Sequence, residues 1–276
     1  MLIEFTLDKT LYQVEGPEDW NDMNRAQLEG ITPFLINNDI YRPEVLAHVL
    51  KLDLKIINRI PAPGKLALYD TFDWMKKPNI YPPFDKIKIR GKMYFMPSER
   101  LDNTEIIEFA FLDMCFIVMQ SMEKKGNKEI FEEYFNRLCG YMLRPAAKNQ
   151  TIDPRTYTGD KREIFNTELA EERLKVFDYM RPIDKFLVLF FFMGCKKYIE
   201  NRYKNPLFPP THTDEGKEIM GVITKAQTPI QWIELIQKLA GGKFGNLAET
   251  RRANTYDFLN ELKAQMKASQ PYPKSK

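Results

Sequence analysis

Histidine, cysteine and serine are scarce in this chain of 276 residues, and their scarcity removes most of the common catalytic and metal-binding arrangements. The two histidines, His48 and His212, belong to no C-x-x-C, H-x-x-x-H or H-E-x-x-H array, so no zinc-ligand spacing is present. Cys115, Cys139 and Cys195 are odd in number, far apart and set in apolar stretches. That pattern reads as free thiols in a reducing compartment. Apolar surroundings also raise a thiol's pKa and make it a poor nucleophile. Serine occurs only as Ser98, Ser121, Ser269 and Ser275, never inside a G-x-S-x-G elbow. No catalytic, cofactor-binding or metal-binding residue is therefore assigned, and the expectation is a protein without enzymatic activity or cofactor.

Charge of one sign is missing too. The 41 basic and 38 acidic residues leave a net charge of +3, which disfavours nucleic acid as the main partner, since such affinity comes largely from neutralising phosphates. Long apolar runs are also lacking. Phe186 to Cys195, FLVLFFFMGC, is the longest, about half of the roughly 20 residues a membrane span needs. Asp184 and Lys185 precede it and Lys196 and Lys197 follow, so it reads as a central core helix and not a membrane element. The opening MLIEFTLDKT has neither the basic nor the apolar region of a signal peptide. These features together predict a cytoplasmic location. Gly241-Gly242-Lys243-Phe244-Gly245 invites comparison with a phosphate loop, but Gln237 stands where its first glycine belongs and Phe244 where a Ser or Thr would hold magnesium. It reads as a helix stop followed by a turn.

What is present is an ordinary globular balance, 43% hydrophobic and 29% charged, which excludes wholesale disorder. Ile3, Phe5 and Leu7 alternate with polar residues, Asp8-Lys9-Thr10 supplies a turn and Leu11 to Val14 returns, which predicts a β-hairpin. Asn24 followed by Gln27 predicts a capped helix that stops near Pro33, and Pro43 opens another. Residues 61–100, with Pro61, Pro63, Pro78, Pro82, Pro83 and Pro97, read as the least regular part. Within them Ile87 and Ile89, then Met93 and Phe95, alternate about Arg90-Gly91 as a second hairpin. A helical heart starts at Asp102, with Glu105 completing a cap, and runs through Met122. After Gly126-Asn127, residues Ile130, Phe131, Tyr134, Leu138 and Tyr141 mark a second helix ending before Pro145. A charged helix through Met180 and the apolar one opened by Pro182 follow. Pro206, Pro209 and Pro210 mark a linker. Thr228-Pro229-Ile230-Gln231 then reads as cap, first position and third position of a helix with Ile233, Ile236 and Ala240 on its apolar stripe. The last helix, from about Leu247, would bury Phe258, Leu259, Leu262 and Met266, and its tail carries Lys263, Lys267, Lys274 and Lys276.

The fold expected is mainly α, a multi-helix globular core with an N-terminal β-hairpin and a second short hairpin near 86–96. Its expected units are residues 1–205, hairpin plus main helical domain, and 206–276, linker and C-terminal helical pair with a basic tail. Three features admit a functional and a plainer reading. Glu105, Glu108 and Asp113 could set carboxylates on one helix edge as in carboxylate hydrolases, but such residues more often form a solvated stripe. His48 reads as partly buried packing. The loop from Asp153 to Arg162, DPRTYTGDKR, reads as polar and exposed. What remains is aromatic and apolar surface, notably in residues 69–96, suited to a protein partner.

Several stretches resemble a group of proteins from phages and prophages of Bacteroidetes-type bacteria. Pro17-Glu18-Asp19-Trp20-Asn21-Asp22-Met23-Asn24-Arg25-Ala26-Gln27 resembles their P-x-x-W-x-x-L-T-x-x-Q, and Leu138-Cys139-Gly140-Tyr141-Met142-Leu143-Arg144-Pro145 their L-x-x-x-L-Y-R-P. Gly159-Asp160-Lys161-Arg162-Glu163-Ile164-Phe165 resembles their G-D-x-R-x-x-F. The apolar helix with Gly194-Cys195 and a tryptophan-bearing helix leading into Gly242-Lys243-Phe244-Gly245 complete the likeness. Met23-Asn24 stands where the pattern has Leu-Thr and Met142-Leu143 where it has Leu-Tyr. The resemblance implies a tail assembly chaperone, which keeps a long helical tape-measure protein soluble in the host cytoplasm while the tail tube polymerises. A head or tail adaptor of the virion is the competing class. A phage DNA-binding or regulatory protein is a third, favoured by the basic tail alone.

Overall fold

A computed structural model of the chain describes residues 1–37, 39–147, 160–204, 207–208 and 231–268. The expected Pro206, Pro209 and Pro210 linker, His212, the Thr228–Ile230 helix start, Asp153 to Gly159, Ser269, Ser275, Lys274 and Lys276 lie outside the described residues.

The architecture is mainly α with two antiparallel hairpins, as the periodicities predict. Strands β1 (Leu2–Leu7) and β2 (Thr10–Glu15) pair from Leu2 opposite Glu15 to Leu7 opposite Thr10. Asp8 and Lys9 both take positive φ, 49° and 67°, the mirror-image turn whose twist matches that of the strands. Helices α1 (Arg25–Ile36), α2 (Pro43–Leu50), α3 (Leu54–Arg59) and α4 (Ala62–Thr71) follow. Asn24 and Gln27 form the expected reciprocal cap of α1. The helix nonetheless continues through Pro33. A proline in the last turn forfeits one hydrogen bond without stopping the few residues beyond it. Helix α4 also corrects the reading of residues 61–100 as irregular, since its Pro63 sits in the first turn, where a missing N–H costs nothing.

The second hairpin pairs β3 (Lys86–Ile89) with β4 (Lys92–Phe95) across Arg90-Gly91, again with φ of 47° and 82°. Helices α5 (Ile106–Lys124) and α6 (Lys128–Met142) form an antiparallel pair, joined at Gly126-Asn127 with the Asn127 side chain accepting from the Ile130 N–H. Glu105 is the N-cap of α5 and makes no side-chain cap, so the expected start at Asp102 is four residues early. The charged segment before Pro182 splits into α7 (Thr167–Glu172) and a 3-10 turn (Leu174–Tyr179). Helix α8 (Pro182–Arg202) opens on its proline, as expected. Helices α9 (Trp232–Leu239), α10 (Leu247–Arg251) and α11 (Thr255–Ala268) complete the described chain.

Apolar side chains gather in two clusters. One draws on the first hairpin, α1 to α4 and the 3-10 turn with Trp74; the other draws on the second hairpin, α5, α6, α8, α9 and α11. Helix α8 belongs to both. Leu187 and Phe190 face the N-terminal cluster, and Trp20 meets Phe190 edge-on at 5.2 Å. Val188, Phe191, Phe192 and Cys195 face the main cluster. Gly194 lies where a Cβ would come 1.8 Å from the backbone oxygen of Asn79, so only glycine permits this approach of α8 to the connecting segment. Among the described residues no helix is long and apolar enough to cross a membrane.

The C-terminal helices build into the main cluster through Trp232, Ile236, Leu239, Phe258, Leu259 and Leu262. The stripe of α9 is Trp232, Ile236 and Leu239, with Ile233 exposed, because Gln231 is the N-cap and not the third helical position. Met266 is exposed as well. Backbone bonds from Ile106 N to Ala253 O (2.9 Å) and from Thr255 N to Thr104 O (3.0 Å) clasp the start of α11 to that of α5.

Candidate functional site

Glu108 and Asp113 interrupt the apolar sequence of α5, and both are completely buried, at 0% and 1% exposure. The solvated-stripe reading is therefore overturned. A carboxylate removed from water needs paired cations and hydrogen bonds, and each has them. Arg162 donates from Nη1 to Glu108 Oε1 at 3.0 Å, and Arg144 donates from Nη2 to Glu108 Oε2 at 2.8 Å. Asp160 accepts from the Nη2 atoms of Arg162 and Arg144 at 2.8 and 3.0 Å. Arg162 Nη1 also reaches Met142 O at 2.9 Å, Arg162 Nε reaches Asp160 Oδ1 at 2.9 Å and Arg144 Nη1 reaches Glu163 O at 2.6 Å, while Arg144 Nε has no partner among the described residues. Arg162 is thus part of the core and not of an exposed loop.

Burial works against the Arg162 guanidinium, but Glu108 and Asp160 outweigh it and hold its pKa above the ordinary value. Burial dominates at Arg144 and, with Arg162 beside it, brings its pKa below the usual guanidinium range despite Glu108. Glu105 sits one turn away. Desolvation and the nearby Glu108 charge raise its pKa to about 7, against the pull of Arg252. Asp113 has a separate set of partners: Lys196 Nζ donates to it at 2.6 Å and Trp232 Nε1 at 2.8 Å, while Glu200 also meets Lys196 at 3.0 Å. Each of these carboxylates is enclosed by fixed cations or donors. Their arrangement anchors helices and chain crossings.

The three cysteines are free and buried. Burial pushes the Cys139 thiol up to about 12 and raises those of Cys115 and Cys195 well above the ordinary thiol value as well. His48 is exposed, not partly buried, with its imidazole lying over Gly30. Among the described residues no group of three His, Cys, Asp or Glu is placed to hold a metal ion.

The surface offers a different kind of site. A cleft of about 400 Å³ opens between β3 and the segment from Tyr179 to Asp184, with Arg25 at one end. Lys86 and Lys88 point outward from β3 while Ile87 and Ile89 point into the core. Tyr179 and Met93 are exposed at 62% and 39%. Arg90, in the turn, lies 4.2 Å over the Tyr179 ring. Arg181 and Arg25 reach the cleft already shared with Asp184 and Glu29. Among the described residues, Lys86, Lys88 and Lys92 make no ion pair. The alternation of β3 is legible in the sequence, but the run of cations at 86, 88, 90 and 92, two of which line the cleft, is averaged away in the net charge.

Comparison with family models, curated proteins and solved structures finds no match to this chain.

Proposed function

We propose that this chain is a non-enzymatic phage assembly factor, a tail assembly chaperone that binds an elongated, helical, tape-measure-type protein in the host cytoplasm. The observation that carries the reading is the contrast between interior and surface. The interior carboxylates Glu108, Asp113 and Asp160 are neutralised by Arg144, Arg162 and Lys196. The cleft beside β3 keeps lysines that make no ion pair among the described residues, and exposed apolar side chains, for something from outside. Such a surface, with a few apolar contacts and a charged rim, suits a protein partner. The setting in tail assembly comes from the resemblance of the Trp20, Arg144 and Asp160–Phe165 stretches.

The deciding experiment co-expresses the tagged chain with the tail proteins encoded beside its gene. It then compares infected-cell lysate with purified virions by mass spectrometry. A chaperone co-purifies with a tail protein, raises its soluble yield and is missing from finished particles. Presence in the particle would favour the adaptor reading instead, and capture of no tail protein would reject the proposal.

A further inference from the structure

Strand β3 is the open edge of a two-stranded sheet, and the hairpin's register says which of its backbone groups face outward. In an antiparallel pair the residues flanking a two-residue turn, Ile89 and Lys92, form a hydrogen-bonded pair, and such pairs alternate along the ladder. Lys88 with Met93 and Lys86 with Phe95 are then non-hydrogen-bonded pairs. The rest of the fold agrees: Phe95 turns its N–H to Arg144 O at 2.8 Å and accepts from Arg144 N, away from β3. It follows that the N–H and C=O of Lys86 and Lys88 point away from β4, toward the cleft. No described group bonds them.

The same two residues carry ammonium groups on the outer face that make no ion pair among the described residues, about 7 Å apart along the strand. Their inward neighbours Ile87 and Ile89 sit at the cleft's floor, and Met93 and Tyr179 flank it. A strand added here would place alternate residues opposite Lys86 and Lys88 on the outer face. The residue between them would lie beside the isoleucines.

We propose that the β3 edge takes a short, extended, acidic segment of a partner protein as a third strand, with an acidic–apolar–acidic pattern. Main-chain bonds to Lys86 and Lys88 supply affinity, and the side-chain alternation supplies selection. A protein segment fits better than a nucleic acid for two reasons. Arg25 and Arg181 at the cleft are already paired with Glu29 and Asp184, so beyond Lys86 and Lys88 it offers little free positive charge to a continuous phosphate backbone, whereas two discrete carboxylates match the two lysines. The chain as a whole is also close to neutral, so no long-range field draws a polyanion. The inference rests on the reading of the chain as a protein-binding factor, and it holds whether or not the rest of the partner is helical.

The test uses the full chain and three probes: a blocked Glu-Val-Glu-Val-Glu peptide, its Gln-Val-Gln-Val-Gln counterpart and a single-stranded DNA oligonucleotide. Binding is followed by calorimetry and by chemical-shift changes at residues 86–95. The acidic peptide should bind, with shifts confined to the hairpin and residues 179–184, and should lose affinity with added salt. K86Q/K88Q should weaken it about tenfold, as expected for two exposed ion pairs. Lys88→Pro removes an N–H the fold does not use, so it should abolish binding while leaving the thermal midpoint close to that of the parent. Equal binding of the Gln peptide, binding unchanged in Lys88→Pro, or retention of DNA with no peptide binding would each overturn the proposal. If peptide binding fails while a tail protein still co-purifies, the cleft falls and the chaperone reading stands. Peptide binding without tail-protein capture gives the reverse.

Discussion

Arg162 and Glu108, 54 positions apart, meet in the middle of the main cluster, each almost completely shielded from water and joined by hydrogen bonds of 3.0 and 3.3 Å. The pair ties the chain crossing after α6 to the first turn of α5. Arg144 and Asp160 complete it, so the four charges balance as two positive and two negative.

Removing one member leaves the others buried without a counterion. Arg162→Ala should therefore cost about 3–5 kcal/mol, the range for breaking a buried ion pair. Asp160 is partly exposed and shares its role with Glu108, so Asp160→Asn should cost less, about 1–2 kcal/mol. Urea unfolding of the three proteins would show the order. An Arg162→Ala loss smaller than that of Asp160→Asn would mean that the cluster does not anchor the fold.

Glu105 makes stability depend on pH in the direction opposite to a salt-bridged carboxylate. Its pKa rises from 4.5 in the open chain to about 7 in the fold. Below pH 4.5 both states hold the proton, and the neutral carboxyl contributes fully. Between about 4.5 and 7 the unfolded chain ionises first, so that contribution shrinks as pH rises and is gone above 7. Glu105→Gln keeps the neutral form at every pH. The variant's stability relative to the parent should therefore climb between pH 5 and 8, by something on the order of 1–3 kcal/mol. Guanidinium unfolding at both ends of that range checks it, and a flat or falling difference would rule the assignment out.

The helices and both hairpins were legible because they depend on near neighbours. Asn24 caps against Gln27, Pro43 and Pro182 sit where helices begin, and Arg90-Gly91 suits a mirror-image turn. What sequence spacing could not supply is which charge would meet which. Glu108 and Asp113 look like a polar stripe on α5 because their partners, Arg144, Arg162 and Lys196, lie 36, 54 and 83 positions away. The stretches that carry the phage resemblance contain Arg144, Asp160, Arg162 and Phe165, and these converge around Glu108, with Arg144 5.7 Å over the Phe165 ring. The β3 cleft was half legible: strand alternation shows two faces, but only the fold shows that one edge stays open beside residues 179–184.

Trp232 supplies a second long-range tie. Its indole N–H donates to Asp113, and Phe109 packs edge-on against its ring at 5.4 Å. Trp232→Phe keeps most of the ring but leaves one carboxylate lone pair unserved, so it should cost about 1–3 kcal/mol. Lys196→Met removes the cation from Asp113 and Glu200 together and should cost more, about 3–5 kcal/mol. Desolvation disfavours the Lys196 ammonium, but the two carboxylates outweigh it and raise its pKa. Equal losses in the two variants would show that the hydrogen bond, and not the ion pair, holds α9 in place.

The cysteines give the last test, because all three lie in the main cluster and their reactivity reports how completely it closes. A thiol at pKa about 12 holds roughly a thousandfold less thiolate near pH 8 than one at its ordinary value of 9. Burial also blocks the reagent, since Cys115, Cys139 and Cys195 are all shielded from solvent. Reaction in the native protein must then wait for local or global opening, and its rate should track the stability of the main cluster. Under native conditions a disulfide-exchange reagent should modify none of the three within minutes, whereas in urea all three should react at once. Arg162→Ala, which loosens the cluster without touching a thiol, should speed the native reaction in proportion to its loss of stability. Cys139 lies in α6, close in sequence to the Arg144 end of the ion cluster, and should respond most clearly. Rapid modification of any cysteine in the unperturbed protein would show that a path from solvent reaches the core and that its thiol is not held in the raised-pKa state.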